Sequence, residues 1–400
     1  MEYFADLHVH IGQAKNQPIK ITASRRLTLD NIYDYCINKK GLDIVGIIDC
    51  ASPFVLEELR EQFNEEKLVP LSGGGARYKD KLTVIFGAEI ETEELRGVAH
   101  SIAFFPFLEQ IKDFSSVISE YITNINLSSQ KARLSAKDLF KIVRNLDGVL
   151  IPAHVFTPFK SFYGSCYDRL ADAFEDDLDK IISVELGLSA DTDFADTISE
   201  LREKTFLTNS DAHSLEKIAR EYNKLHLQFP DFEHLVLALK GHNGNYIAAN
   251  YGLDPKLGKY HRTFCPACNY VAKDISPITK CPFCNNEDVT LGVFDRIALI
   301  ADHKTPIHPS GRPLYQYQVP LEFIPGIGKK TIEKLILHFG TEMNVLHQVG
   351  YEELVSVVGE KVALTIQQAR KGELIFNPGG GGTYGKVVST VRRGTGVRDE

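Results

Sequence analysis

The sequence contains no run of about 18 apolar residues, so nothing in it predicts a transmembrane helix. Its first residues, MEYFADLHVHIG, lack the basic segment and the apolar stretch of a signal peptide. Cysteines are few and odd in number, at seven in 400 residues, which argues against a disulfide framework. We therefore expect a cytoplasmic protein in a reducing compartment, with no membrane partner.

Basic residues are not in excess either, because the formal net charge is -8, which argues against a simple basic nucleic-acid-binding chain. Residues 1–250 carry 27 Lys and Arg against 38 Asp and Glu, whereas residues 251–400 carry 18 against 15. An acidic N-terminal part suits divalent cations, and a mildly basic C-terminal part suits phosphates. Ordinary surface charge is the alternative explanation for most of these residues.

Short apolar runs that end in polar residues dominate the first 215 residues. Segments of helical composition separate most of them, which predicts a parallel sheet and a (β/α)7 barrel. Barrel enzymes place their active sites at the C-terminal ends of the strands. We expect extra helices over 106–148. The seven predicted strands are YFADLHVH, DIVGIID, LTVIFGAEIE, VAHSIAFF, GVLIPAH, IISVELG and TFLTNSDAH.

The pattern changes after residue 250. Paired cysteines in a proline-rich stretch and an extended linker, HKTPIHPSGRPLYQYQVP, precede a helical block and a glycine-rich end. We predict an α/β barrel over 1–250, a four-cysteine module and linker over 251–318, a small all-α domain over 319–376 and a tail over 377–400.

Residues with metal-ligand chemistry fall on every predicted strand. Asp6, His8 and His10 alternate on the first strand, so their side chains share one side. A mixture of imidazoles and carboxylates suits zinc, manganese or iron, and such ions promote phosphoester hydrolysis. Hydrogen-bonded core residues are the alternative for single members of the set. The later members are Asp49, Glu89, His100, His154, Glu185, Asp211 and His213.

These motifs, D-x-H-x-H, Asp49, GAEIE, AHS, PAH and SDAH, resemble the polymerase and histidinol phosphatase (PHP) domain family. The resemblance implies a distorted seven-unit barrel with two or three divalent metals, Zn²⁺, Mn²⁺ or Mg²⁺, that hydrolyses phosphomonoesters or phosphodiesters. Cys50 follows Asp49 where many members have histidine, which leaves the number of metals open. The resemblance implies catalytic or ligand roles for His8, His10, Asp49, Glu89, His100, His154, Asp211 and His213.

Two Cys-x-x-Cys pairs, Cys265 with Cys268 and Cys281 with Cys284, predict a closed, structural zinc site. A disulfide or a redox pair is the weaker alternative. We expect the other three cysteines, Cys36, Cys50 and Cys166, to be buried thiols.

The segment IPGIGKKTIEKLILHFGT at 324–341 resembles a helix-hairpin-helix DNA-binding motif. Gly326 and Gly328 permit close backbone approach, and the helix that begins near Lys329 and Lys330 can bind one phosphate. A companion hairpin is expected around Gly359. A helical turn with a glycine C-cap is the alternative.

The tail carries four consecutive glycines, Gly379 to Gly382. A flexible end is the simpler expectation. The alternative is that these amides contact DNA or pack over the barrel, helped by Arg392 and Arg393.

The order of parts, from barrel through four-cysteine module and helical hairpin to the GGGGTYGK tail, is similar to that of the endonuclease Q family. The resemblance implies a DNA repair endonuclease that nicks 5′ to uracil, hypoxanthine, xanthine or an abasic site, in single- or double-stranded DNA. It leaves oligomeric state open, and no clamp-binding peptide occurs near the C-terminus although a sliding clamp is a conceivable partner. The alternatives are a phosphatase of small phosphomonoesters, whose activity would survive deletion of 250–400, and a non-catalytic DNA-binding adaptor.

A damaged base has to leave the helix to be inspected, so we expect a pocket at the barrel mouth. One candidate loop follows His154 and offers aromatic residues and Lys160. A second, residues 72–81, offers Arg77 and Lys79. Asp193 is a further candidate ligand, although a helix N-cap would explain it equally well. The aromatic candidates are Phe156, Phe159, Phe162 and Tyr163.

Overall fold

A computed structural model of the chain describes residues 1–273 and 276–388. The strands are β1 (Glu2–Val9), β2 (Gln13–Ala14), β3 (Gln17–Pro18), β4 (Ile44–Ile47), β5 (Leu68–Pro70), β6 (Ala76–Tyr78), β7 (Leu82–Glu94), β8 (Gly97–Phe105), β9 (Lys131–Ala132), β10 (Val149–Pro152), β11 (Ser183–Glu185), β12 (Thr205–Leu207), β13 (Tyr222–His226), β14 (Tyr246–Gly252), β15 (Phe264–Cys265), β16 (Tyr270–Val271), β17 (Leu314–Tyr317), β18 (Ile375–Asn377) and β19 (Lys386–Val388).

The α-helices are α1 (Leu29–Tyr35), α2 (Pro53–Asn64), α3 (Leu108–Ile118), α4 (Ala136–Asn145), α5 (Ala171–Phe174), α6 (Thr192–Ala195), α7 (Phe232–Lys240), α8 (Val293–Ile300), α9 (Lys329–Phe339), α10 (Glu342–His347), α11 (Tyr351–Val358) and α12 (Glu360–Arg370). The extra helices expected over 106–148 are α3 and α4. In the described part of the chain, no helix is both long and apolar enough to cross a membrane.

A large mixed sheet forms most of the barrel wall, in the order β10-β8-β7-β4-β1-β13-β14-β17. The parallel pair β11–β12 lies between β10 and β14, since β11 contacts β10 and β12 contacts β14. The Asn250 side chain of β14 donates to the Phe206 carbonyl of β12 at 2.9 Å. The barrel is therefore closed by loops and side chains at these points and is distorted.

All seven predicted strands are present, but the sheet is not parallel throughout as predicted. Strands β7 and β8 are joined by two residues, and so short a connection can only reverse the chain into an antiparallel pair. Strand β10 also runs antiparallel to β8. Strands β13 and β14 were not predicted; they complete the wall beside β1.

The four-cysteine module is attached to the barrel through helix α8. The Asp295 carboxylate of α8 is fully buried and accepts hydrogen bonds from the Thr263 amide at 3.0 Å and the Thr263 hydroxyl at 2.9 Å. The region predicted as a linker is not free of the barrel: β17 pairs with β14, and Arg312 forms an ion pair with the buried Asp196.

Helices α9 to α12 surround a separate apolar core that includes Leu335, Leu346, Leu354 and Ile366. This helical unit packs on the barrel wall, where the Tyr222 hydroxyl of β13 lies 2.7 Å from Nε2 of His347. The predicted domain boundaries at 250, 318 and 376 stay predictions, although β14 crosses the first of them.

Candidate active site

Two histidines of β1 mark the centre of the site. The side chains of His8 and His10 are fully buried, and their rings lie 5.3 Å apart. Nε2 of each ring is 3.4 Å from Oδ1 of Asp211, which follows β12. Asp211 has φ 47°, a left-handed conformation that costs a non-glycine residue energy and that clusters at functional sites. His8, His10 and Asp211 have the composition and spacing of a metal site.

Glu89 of β7 joins this group to a second one. Its Oε1 lies 2.9 Å from Nδ1 of His100 and 3.6 Å from Nε2 of His154. The same oxygen is 3.5 Å from Nε2 of His8, and Oε2 is 3.6 Å from Nε2 of His10. Glu89, His100 and His154 form the second group of candidate ligands, with ligand atoms within 4.8 Å of one another. One carboxylate thus touches both groups.

Burial alone would raise the pKa of Glu89, but the neighbouring His100 ring and the Lys20 ammonium outweigh it and lower the pKa well below its usual value. The carboxylate is therefore ionised and able to bind cations.

Four of the imidazoles have a partner on the side away from Glu89. Such partners fix the ring orientation and the tautomer of a metal-binding histidine. The partners are Oε2 of Glu185 for His8 (2.9 Å), Oδ1 of Asp49 for His10 (3.1 Å), Oε2 of Glu91 for His100 (3.1 Å) and Oγ1 of Thr157 for His154 (3.2 Å). The structure thus places Asp49 and Glu185 behind histidines rather than in either group of candidate ligands.

Three of the four ring nitrogens on the inner side are unsatisfied. Nε2 of His8, Nε2 of His10 and Nδ1 of His100 make no hydrogen bond of acceptable geometry to any described residue. A buried polar atom left in this state costs free energy. Divalent cations would satisfy all three, so the residues present fit a metal centre.

Two predicted ligands lie elsewhere. The buried Asp6 carboxylate accepts hydrogen bonds from the Ser210 amide at 3.1 Å and the Ala219 amide at 2.8 Å. It holds the loop that carries Asp211. Asp193 is exposed and lies 3.4 Å from Nε2 of His308. Neither residue belongs to the two groups of candidate ligands.

His213 lies beside the first group. Its ring is 4.7 Å from that of His10, and Nδ1 is 3.0 Å from the Asp211 carbonyl. Cys50 takes no part, because its buried thiol donates to the Ile47 carbonyl at 3.1 Å.

Two residues of the site were not predicted. Lys20 comes from the loop after β3, and its Nζ lies 3.0 Å from Oε2 of Glu89 and 2.5 Å from Oγ of Ser129. Nothing in the sequence around Lys20 points to this position. Glu91, by contrast, alternates with Glu89 on the same strand, and that spacing could have identified it.

A cavity of about 540 Å³ lies over the two groups. Its wall is rich in basic and aromatic side chains, which suits a polyanion with planar bases. Two of these residues come from the segment just before Cys265 and one from the tail. The basic and aromatic residues are Lys20, Lys160, Lys217, Arg220, Lys259, Phe159, Tyr260 and Tyr384.

The two candidate loops differ in position. Phe159 and Lys160 line the cavity, whereas Phe156, Phe162 and Tyr163 are fully buried in the core.

Arg77 donates to Oγ1 of Thr83 at 2.7 Å, near the start of β7 and six residues before Glu89, and Lys79 pairs with Asp34. The structure therefore does not bring the loop over 72–81 to the cavity.

The four predicted zinc ligands come together. Sγ of Cys265 is 3.6 Å from Sγ of Cys284, and Sγ of Cys268 is 3.6 Å from Sγ of Cys281. The remaining cysteines, Cys36, Cys50 and Cys166, are buried thiols as predicted.

The turn predicted as a helical hairpin precedes α9, but it follows only a single 3₁₀ turn, Leu321–Phe323, and not a full helix, so the motif stays a prediction. Gly326 has φ 86°, and Lys329 and Lys330 are exposed at the first positions of the helix. A cleft of about 490 Å³ separates this turn from the barrel and is lined by Gly328, Lys329 and three basic barrel residues, Arg26, Lys39 and Lys40. The companion hairpin is the junction of α11 and α12, where Gly359 has φ 80°.

No family model matches the chain. The uncharacterised protein YqxK of Bacillus subtilis is 46% identical over 388 residues, which cover 96% of this chain and 98% of YqxK. The uncharacterised protein MJ0043 of Methanocaldococcus jannaschii is 40% identical over 265 residues, which cover 61% of this chain and 32% of MJ0043.

Two crystal structures match nearly the whole chain. The lesion-specific endonuclease PfuEndoQ from Pyrococcus furiosus superimposes with a TM-score of 0.83 and 33% identity, over 97% of this chain and 95% of PfuEndoQ. The second is endonuclease Q in complex with a 27-mer duplex substrate that has an abasic lesion at the active site. It superimposes with a TM-score of 0.82 and 34% identity, over 97% of this chain and 96% of that chain. The predicted fold is thereby confirmed, and this chain belongs to the endonuclease Q family.

Proposed function

We propose that this protein is a metal-dependent DNA repair endonuclease that hydrolyses the phosphodiester 5′ to a deaminated base or an abasic site. The observation that carries the proposal is the pair of candidate metal groups that share Glu89 beneath a basic, aromatic cavity. The duplex with an abasic lesion in the related endonuclease Q supports the substrate class. Uracil, hypoxanthine and xanthine are the deaminated bases we propose.

Each group is proposed to hold one divalent ion, Zn²⁺, Mn²⁺ or Mg²⁺. His8, His10 and Asp211 would bind the first, His100 and His154 the second, and Glu89 both. Divalent ions at such a site activate water and stabilise charge on the phosphoryl oxygens. The products would be a 3′-hydroxyl and a 5′-phosphate.

The surrounding residues would orient these ligands and the substrate. Asp49, Glu91 and Glu185 hold the imidazoles in place through the hydrogen bonds described above. Lys20 and Lys160 lie where they can contact phosphate oxygens, although Lys160 first has to leave Glu91, to which its Nζ is 2.7 Å away.

Outside the barrel, we propose that the four cysteines hold a structural Zn²⁺ and that the turn at Gly326 and Gly328 grips the DNA backbone with Lys329 and Lys330. Such contacts fix the register of the protein on DNA and read no sequence.

An end-labelled duplex with one deoxyuridine, beside an undamaged duplex, tests the proposal in Mn²⁺ or Mg²⁺. We expect one nick immediately 5′ of the deoxyuridine, sized to one nucleotide, and none in the undamaged strand. His8→Ala should abolish the nick. His226→Ala is the matched control, because His226 pairs with Glu2 at the far end of β1 and should leave nicking unchanged.

Hydrolysis of a small phosphomonoester without any nick would contradict the proposal and favour a phosphatase. Deletion of 250–400 is a poor discriminator between the two, because it removes Lys259, Tyr260 and Tyr384 from the cavity wall.

A further inference from the structure

The glycine-rich end of the described chain is an ordered part of the fold. The Gly379 amide donates to the Lys256 carbonyl at 2.7 Å, and the Gly382 amide donates to the Lys259 carbonyl at 3.1 Å. Strands β18 and β19 close the segment into a hairpin. The flexible end expected from sequence is therefore not found over 377–388, whereas Arg392 and Arg393 lie outside the described residues.

Glycine is required here by close packing rather than for mobility. A Cβ atom on Gly379 would lie 2.5 Å from the Gly258 carbonyl oxygen, and one on Gly380 would lie 2.6 Å from Cγ1 of Val271. Both distances are well below van der Waals contact. The contact at Gly379 is with a backbone carbonyl, which cannot move aside as a flexible side chain can. The glycine run thus lets the chain lie directly on the segment that precedes and enters the four-cysteine module.

This packing brings Tyr384 to the cavity. Arg220 donates from Nη1 to the Tyr384 hydroxyl at 3.1 Å, and Lys259 lies 5.8 Å from the centre of the Tyr384 ring. Tyr384 shares the cavity wall with Tyr260 and Phe159, whose rings are 5.5 Å apart. Three distant parts of the chain therefore supply one aromatic rim, which we define as Phe159, Tyr260 and Tyr384.

We propose that residues 379–385 are an active-site element that holds Tyr384 in this rim, where its ring contacts a nucleotide of the bound DNA. The inference rests on the proposed endonuclease function. Aromatic rings bind bases of any sequence by stacking, and the Lys259 ammonium beside the ring suits the neighbouring phosphate. Tyr384 is a substrate-positioning residue, so its loss weakens DNA binding more than it slows the bond cleavage.

The test compares Tyr384→Ala and Tyr384→Phe in steady-state nicking of the deoxyuridine duplex. We expect Tyr384→Ala to raise KM about tenfold or more, from the loss of one base stack, with kcat within about twofold. Tyr384→Phe keeps the ring and should restore KM. Fluorescence anisotropy of the labelled duplex, without added divalent ions, should show the same loss and recovery of affinity.

A matched control is Tyr246→Ala. Tyr246 is also a partly exposed tyrosine, but it stacks on His226 at the far end of the barrel, so the substitution should leave KM unchanged. Gly379→Ala leaves every cavity residue intact but displaces the glycine run, and it should raise KM as Tyr384→Ala does.

Three results would overturn the inference. An unchanged KM and affinity in Tyr384→Ala would remove the nucleotide contact. A loss of kcat alone in both Tyr384→Ala and Tyr384→Phe would show that Tyr384 acts on the Asp211 loop through Arg220. Arg220 donates to the backbone carbonyl of Asp211 at 3.3 Å. A wild-type protein that does not nick the lesion duplex would instead overturn the proposed function, and this inference with it.

Discussion

At the scale of single residues, Glu221 of the loop before β13 is a buried carboxyl group outside the proposed metal centre. Burial raises its pKa to about 8, although the Leu253 amide and Arg220 act in the opposite direction. Its Oε2 has no hydrogen-bond partner in the described part of the chain, while Oε1 accepts from the Leu253 amide at 2.8 Å. Glu221 is therefore protonated at neutral pH in the folded protein.

This pKa predicts a stability that falls as pH rises. Between about pH 4.5 and pH 8 the unfolded chain releases the Glu221 proton and the folded chain retains it, so alkali favours unfolding by an amount on the order of a few kcal/mol. Glu221→Gln should flatten this part of the profile. Urea unfolding at pH 5, 6.5 and 8 measures the free energy of unfolding. If this free energy fell with pH as much in Glu221→Gln as in the wild type, the raised pKa of Glu221 would be contradicted.

Lys20 gives a second prediction at this scale. Its ammonium neutralises one oxygen of Glu89, so Lys20→Met should bind Mn²⁺ more tightly and yet nick DNA about 10- to 100-fold more slowly, because a cavity cation is lost. Calorimetric Mn²⁺ titration and nicking rates measure the two effects. Lys67→Met is the control, since Lys67 pairs with Glu65 on the surface. Weaker Mn²⁺ binding in Lys20→Met would contradict the argument.

The residues that could be predicted from sequence lie on strands or directly after them. Alternation along β1 places His8 and His10 on one face, and Glu89 was predicted because it lies on the polar part of another apolar run. Lys20, Arg220 and Tyr384 come from loops or the tail, where no period relates sequence to position. Asp6 shares the alternation of His8 and His10, yet its carboxylate is used by backbone amides, which only the folded loop reveals.

At the scale of elements, apolar runs in the sequence identify β1, β4, β7, β8, β10, β11 and β12. The direction of β8 was also predictable, because only six residues, 92–97, separate the two predicted strands, too few for a parallel crossover. The prediction of a parallel sheet overlooked the length of this connection. Strands β13 and β14 were missed because no candidate ligands mark them. The four-cysteine module was predictable from spacing alone, since its ligands are close in sequence.

The four-cysteine module supports a prediction about metal removal. Cys281→Ser should reduce the zinc content by one equivalent, measured by mass spectrometry, and lower the melting temperature. KM for the lesion duplex should rise as well, because Val271 and Phe264 of the module pack against Gly380 and Gly381 and so support the tail that carries Tyr384. Cys166→Ser is the control, as the Cys166 thiol donates to the Val98 carbonyl, a bond that a hydroxyl can replace. Unchanged zinc content in Cys281→Ser would refute the proposed ligand set.

At the scale of the whole molecule, the cavity and the cleft beside α9 are neighbours in the structure. Lys217 lines the cavity and the adjacent Glu216 lines the cleft beside α9, so the two openings adjoin. DNA bound at Lys329, as proposed, would therefore pass close to the cavity over the two groups of candidate ligands. Such a path depends on a fixed position of the helical unit against the barrel, which the order of motifs in the sequence does not specify.

A buried ion pair holds the helical unit, α9 to α12, against the barrel. Nζ of Lys40, from the barrel, lies 2.6 Å from Oε2 of Glu342 at the start of α10, and both side chains are less than a tenth exposed. Burial would lower the pKa of Lys40, but the Glu342 carboxylate outweighs it and raises the pKa. Oε1 of Glu342 also accepts the Leu321 amide at 3.1 Å, so the carboxylate is held from both sides.

Lys40→Met should therefore destabilise the protein by about 3–5 kcal/mol, because it leaves the Glu342 charge buried without a counterion. The double variant Lys40→Met, Glu342→Gln removes both charges and should recover most of that loss, whereas Lys79→Met, which breaks an exposed pair with Asp34, should cost less than about 1 kcal/mol. Urea unfolding measures all three. A double variant as unstable as Lys40→Met would show that the lysine stem, and not the unpaired charge, holds the helical unit on the barrel.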